Sequence, residues 1–324
     1  MSLNERGYRV AEALVGRAGG AGVACHDRGG VRVVDCGVQQ PGSVEAGLAL
    51  ARVALADLGD ASLREPPGSC GDAWPDCPWP VVSVSSERPV AACLAAQYAG
   101  WKVAAAKFFA MASGPIRAAI GREDLFDTIG MREQPSVAVG LLESARLPPE
   151  EVCLELAAAA GVDPGHLILL VARTASLAGT LQVVARSLET ALHKLHDLHF
   201  DLGLIRRGSG AAPLPPLPAP PDDLVAIGRT NDAILYGGHV VLEVAADDDT
   251  LKEVGPRMVS AASASYGESF LQLFEQAGRD FYALDPALFA PAVVDLVAAE
   301  SGRRHRFGAV APEIVARSFA ARES

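Results

Sequence analysis

The sequence predicts a mixed α/β (α+β) protein of two lobes, with mixed sheets covered by helices and a cleft between the lobes. Short apolar runs of strand length alternate with stretches of helical periodicity. Two Pro-rich tracts, REPPGSCGDAWPDCPWP (64–80) and APLPPLPAPPDD (212–223), interrupt them. At 324 residues the chain is long enough to bury two large cores.

A helix is expected over about residues 4–18, followed by the strand VRVVDCG (31–37) and the loop QQPGS. Ser43 then caps a second helix, with Glu45 well placed in its first turn. After the first Pro-rich tract come the strand VVSVSS, a helix through ACLAAQYAG and the turn MASGPIRAAI. SVAVGLLES (136–144) reads as a strand, LPPEEVCLELAAAAG as a helix entered through Pro149, and HLILLVA as a buried strand. The second Pro-rich tract should be extended and stiff. Beyond it AILYGGHVVLEVAA reads as a hairpin turning at Gly237-Gly238, with two or three helices to the end. Taking both tracts as crossings gives one lobe at 81–211 and another from 1–80 plus 212–324.

A net charge of −11 with no Lys/Arg cluster leaves no surface for a nucleic acid backbone. The opening MSLNERGYRVAEALV mixes charges into an amphipathic pattern, unlike a signal peptide. The most apolar tract is interrupted by Lys102 and Lys107, so no membrane span is expected. A cytoplasmic protein follows. The six cysteines show no CxxC or CxxH pairing and read as reduced thiols, mostly small core residues.

One stretch, LAGTLQVVARSLETALHKLHDLHF (177–200), carries an apolar stripe of Leu181, Val184, Leu188, Leu192, Leu195 and Leu198. Its other side lines up Gln182, Arg186, Glu189, His193 and Asp197. A solvated face with a supporting ion pair is the plain reading, yet such pairs work better with the acid N-terminal to the base, and here Arg186 comes first. His193, with His196 and His199 nearby, invites a metal site, but the HExxH spacing is absent.

Four segments at element ends contain glycine and polar residues: DCGVQQPGSVEAG (35–47), AMASGPIRA (110–118), TASLAGTLQVVARSLETALHKL (174–195) and GRTNDAILYGG (228–238). In this order and spacing they resemble methenyltetrahydromethanopterin cyclohydrolase, over about residues 31–245. The chain departs from the family pattern at Ala112, where glycine is usual, and at Arg173, where proline is usual.

The resemblance implies hydrolysis of the N5,N10-methenyl group on a tetrahydromethanopterin-type pterin carrier, with Arg186 and Glu189 as the catalytic pair. It implies a homotrimer and no metal, nucleotide or redox cofactor, in either methane formation or the formaldehyde oxidation of methylotrophic bacteria. Ser113, Gly114 and Arg117 would meet an anionic group of the carrier through free amides behind Pro115. Asn231 and Asp232 would bond the pterin, or else form an Asx turn before the hairpin. Ser43 and Glu45 would cap a helix or line the pocket, and His193 would be hydrogen-bonded near the site. The competing readings are a non-catalytic pterin-binding protein, a metal-dependent hydrolase using Glu189, His193 and His196, and the same reaction on a folate carrier.

Overall fold

The computed structural model describes residues 1–105 and 108–320; the expected interruption of the apolar tract at Lys107 lies outside them. The fold is mixed α/β. Its strands are β1 Ala24–Arg28, β2 Val31–Asp35, β3 Gly59–Arg64, β4 Val81–Ser86, β5 Trp101–Ala105, β6 Phe108–Ser113, β7 Ala138–Glu143, β8 Leu167–Ala172, β9 Ile205–Pro213, β10 His239–Val244, β11 Val293–Ala298 and β12 Arg304–Gly308. They form two six-stranded sheets, ordered β1-β2-β8-β7-β6-β5 and β12-β11-β10-β9-β4-β3.

Two compact units share the chain, Met1–Asp60 with Val90–Val183, and Ala61–Pro89 with Val184–Ser324. These limits differ from the expected division at the Pro-rich tracts. Residues 65–80 link β3 to β4, which are neighbours in one sheet, and the stretch after β9 leads to a helix of the same unit. Proline stiffens a connection without marking where packing changes hands.

In the first unit the parallel strands β2, β8 and β7 are buried on both faces, which explains their near-continuous apolar runs. Ile168 and Leu170 of β8 pack with Leu14, Leu50 and Val53 from the helices Leu3–Val15 and Val44–Ala54. Leu167, Leu169 and Val171 point the other way, to Val152, Cys153 and Leu156 of the helix Glu150–Ala160. The expected helix ending in ACLAAQYAG is a π-helix, Val90–Gln97. The residues after it form the antiparallel pair β5–β6, where the sequence suggested only a turn.

The second unit corrects the expected hairpin. Asp223–Gly237 is a helix, begun where the Asp222 carboxylate accepts from Leu224 and Val225 amides at 2.8 and 3.2 Å. β10 then pairs antiparallel with β9 and parallel with β11. β11 and β12, read in the sequence as part of a helical tail, close that side of the sheet. Asp295 of β11 is fully buried and accepts from Arg306 Nε and Nη2 at 2.8 and 2.9 Å, with His239 Nε2 at 2.8 Å.

Of the cysteines, only Cys25 is exposed, and all six are free thiols. No helix among the described residues is long and apolar enough to cross a membrane.

Candidate active site

The stretch 177–200 folds as two helices, Leu177–Val184 and Ser187–Asp197, with Arg186 at the break (φ −90°, ψ 5°). Its apolar stripe is buried as the periodicity requires: Leu181, Val184, Leu188 and Leu192 have no exposed surface. The polar ridge is not a solvated face at its N-terminal end. Gln182, Arg186 and Glu189 are only 4%, 8% and 7% exposed. Arg186 and Glu189 each have partners, as burying a charge demands. Glu189 stands in the first turn of its helix, where aligned amide dipoles favour negative charge by about 0.3–1 kcal/mol.

This helix lies on the second sheet through strand β9, whose RRGSGAAP run supplies glycines where the helix approaches. A Cβ on Gly208 would stand 2.8 Å from Leu188 Cδ1. One on Gly210 would stand closer still to Ser187 Oγ and as close to the Leu188 backbone nitrogen. Glycine there lets the start of the helix sit against the strand.

In the first unit the carboxyl-terminal edge of the parallel strands gathers polar groups, where ligands of open α/β sheets bind. Asp35, at the end of β2, is fully buried. Its carboxylate accepts from the amides of Gly37, Val38, Gln39 and Gln40 at 3.0, 2.7, 2.9 and 3.2 Å, and so shapes the DCGVQQ loop. Glu143, ending β7, accepts from the Thr174 hydroxyl. The TASLAGT turn is held from within: Ser176 Oγ donates to Arg173 O at 2.8 Å and accepts from Gly179 N at 3.0 Å, and Thr180 Oγ1 donates to Thr174 O at 2.7 Å. A small recess here is lined by the polar side chains Ser113, Glu143 and Gln182 over Leu50, Leu170 and Ala172.

The residues singled out from the sequence fall into both units. Ser43, Glu45, Ser113, Gly114 and Arg117 belong to the first, and Arg186, Glu189, His193, Asn231 and Asp232 to the second. Ser43 is an N-cap, its hydroxyl accepting from Ala46 N at 3.0 Å and donating to Ala21 O at 2.7 Å. Glu45 is exposed and pairs with Arg17 at 3.3 Å.

Ser113 reaches the recess, but the free amides expected behind Pro115 are used. Gly114 N donates to Ala96 O, Arg117 N to Gly114 O and Ala118 N to Pro115 O, at 2.9, 3.1 and 3.0 Å. Arg117 is 1% exposed. Its guanidinium donates to both Glu123 oxygens (Nε–Oε2 2.9 Å, Nη2–Oε1 2.8 Å) and to Leu94 O at 2.9 Å, between the rings of Tyr98 and Phe126.

Asn231 and Asp232 lie inside the helix Asp223–Gly237 and form no Asx turn. Asn231 Nδ2 donates to Ile227 O at 2.8 Å, the carbonyl one turn back. Asp232 is fully buried and accepts from Phe270 N at 2.8 Å, the first amide of the helix Phe270–Gln276. Burial pushes its carboxyl up to about 7, an effect that Ser318, the Phe270 amide and Arg317 only partly offset. His193 is half-buried, 3.6 Å from Asp197.

Sequence reasoning passed over Asp35, Glu143 and Thr174. Asp35 and Thr174 lie within the segments singled out, and a polar residue closing a wholly apolar strand, as Glu143 closes β7, was the available signal.

Arg186 and Glu189, ionisable side chains buried at the start of a helix on an α/β frame, are groups of the kind that enzymes keep at a cost of several kcal/mol, and the family to which the chain belongs is one of enzymes. A profile of the cyclohydrolase (MCH) family matches residues 2–319. The chain belongs to that family. It is 43% identical over 325 residues to a methenyltetrahydromethanopterin cyclohydrolase of Methylobacterium sp. (strain 4-46), covering 98% of each chain. It is 42% identical over 290 residues to the protein of that name from Methylobacillus flagellatus, covering 90% of this chain and 86% of the relative. The likeness extends to a relative of the same name from Methanospirillum hungatei, at 37% identity over 321 residues.

Proposed function

We propose that the protein hydrolyses the N5,N10-methenyl group of tetrahydromethanopterin, or of its dephospho form, to N5-formyl-tetrahydromethanopterin. Membership of the cyclohydrolase family supports the reaction. The observation that carries the residue assignment is the burial of Arg186 and Glu189 together at the start of one helix.

The methenyl carbon of the cationic amidinium is already electrophilic, so the reaction needs a placed and deprotonated water. Glu189 takes one proton from that water as the oxygen bonds to the carbon, giving a neutral carbinol. The bond from that carbon to N10 then breaks. N10 takes the proton from Glu189, the carbinol hydroxyl releases its proton to solvent, and the formyl group stays on N5. One water is consumed and one proton released. General base catalysis of this kind contributes about 10²–10⁴-fold. Arg186 keeps Glu189 ionised and oriented, since a neighbouring opposite charge favours the carboxylate.

The hydrolysis calls on no metal, nucleotide or redox cofactor, because the substrate supplies its own electrophile. The pterin is the partner molecule. A homotrimer in the cytoplasm belongs to the same reading.

The test is the loss of methenyl-pterin absorbance on adding purified protein, with methenyltetrahydrofolate run beside methenyltetrahydromethanopterin and Glu189→Gln as control. Rapid loss confined to the methanopterin compound and dependent on Glu189 is expected. Binding without loss of absorbance would instead identify a pterin-binding protein without turnover.

A further inference from the structure

We propose that His193, His196 and Asp197 form a binding site for one divalent transition-metal ion of the zinc class, separate from the hydrolytic chemistry and independent of that reading. One ligand atom from each residue lies within 4.8 Å of the other two. Asp197 Oδ1 stands 3.6 Å from His193 Nε2 and 3.7 Å from His196 Nδ1.

These separations are too long for hydrogen bonds. They are close to the ligand–ligand edge of about 3.3 Å that bonds of about 2.0–2.1 Å give around a tetrahedral ion. His196 Nδ1 is shielded from solvent and has no hydrogen-bond partner, a state that leaving a polar atom buried makes costly. A cation between the three atoms would satisfy it.

The helix explains the arrangement. Positions 196 and 197 follow 193 by three and four residues, so each can meet His193 over the last turn of Ser187–Asp197. The two imidazole rings lie within 19° of parallel, with centroids 6.3 Å apart. Lys194 points elsewhere and donates to Pro286 O. The three side chains are 26%, 29% and 37% exposed, which leaves solvent access for an ion and for water completing its shell. Two imidazoles and a carboxylate suit zinc, copper or nickel over the oxygen-seeking magnesium and calcium. Glu189, which the metal-hydrolase alternative required, takes no part, and Asp197 stands in its place.

The experiment is a calorimetric titration of chelator-treated full-length protein with Zn2+, without pterin, and with Mg2+ as contrast. Wild type should bind one equivalent of Zn2+ in the micromolar range and show no heat with Mg2+. His193→Gln and His196→Gln should each weaken Zn2+ binding at least about tenfold, the smallest loss typical when a metal site's support is removed. Circular dichroism checks that both variants remain folded, as surface-reaching side chains allow. Absence of micromolar Zn2+ binding in wild type, or an isotherm for either variant that overlays wild type, overturns the site.

Discussion

A Cβ built on Gly210 would stand 2.6 Å from Ser187 Oγ and 2.8 Å from Leu188 N. Strand β9 thus meets the first turn of the helix that carries Glu189 at backbone distance. Gly210→Ala should push that turn away. Overpacking of this kind costs about 1–3 kcal/mol, and a displacement of about 1 Å at a reacting group costs on the order of 10²-fold in rate. Turnover of methenyl-pterin should therefore fall far more than the melting temperature. A variant with unchanged turnover would mean that the helix position does not matter to the reaction.

Arg186→Ala should lower turnover on the order of 10²-fold by letting Glu189 lose its orientation. Arg186→Lys should recover part of it, since the charge returns without the planar fork. Steady-state kinetics beside urea unfolding decides the matter. A loss of stability with turnover per folded molecule intact would make Arg186 a structural partner.

Arg117→Met should destabilise the first unit by about 3–5 kcal/mol, because Glu123 loses its buried partner. The Michaelis constant of the folded fraction should not change, since the Arg117 guanidinium is committed to Glu123, Leu94 O and Ala96 O. Urea unfolding and substrate titration measure the two effects separately. A raised Michaelis constant at unchanged stability would restore Arg117 to the carrier.

Asp232 has a folded-state carboxyl pushed from 3.8 up to about 7 by burial. Below its unfolded value both states are protonated. Between the two values the unfolded chain releases the proton while the folded one keeps it, so the stability this group contributes falls as pH rises and levels off above about 7. Asp232→Asn removes that term. The stability of wild type minus that of the variant should decline from pH 4 to 7, at up to roughly 1.4 kcal/mol per pH unit. Parallel stability curves would show Asp232 ionised in the folded protein.

Much of the frame was legible in the amino-acid order alone. β7 and β8 were readable because strands buried on both faces are apolar almost throughout, β2 and β4 because valines recur in short runs, and Ser43 was readable as a cap because its hydroxyl suits the first amides of a helix. The four segments that mark the family were legible as well, and with them the candidate pair Arg186 and Glu189. Helical period put Gln182, Arg186 and Glu189 on one ridge, but period says only which residues share a face. What covers a face depends on distant segments, and it is in the folded chain that the stretch breaks at Arg186 into two helices, with Arg186 and Glu189 buried while His193 and Asp197 reach solvent. The same limit explains the helix at Asp223–Gly237 that read as a hairpin, and the strands β11 and β12 hidden in an apparently helical tail, where a short apolar run fits either element until its partners are known. Glu143 became visible last, because its partner, the Thr174 hydroxyl, is brought within reach by the fold, whereas Asp35 bonds amides two to five residues further along its own loop.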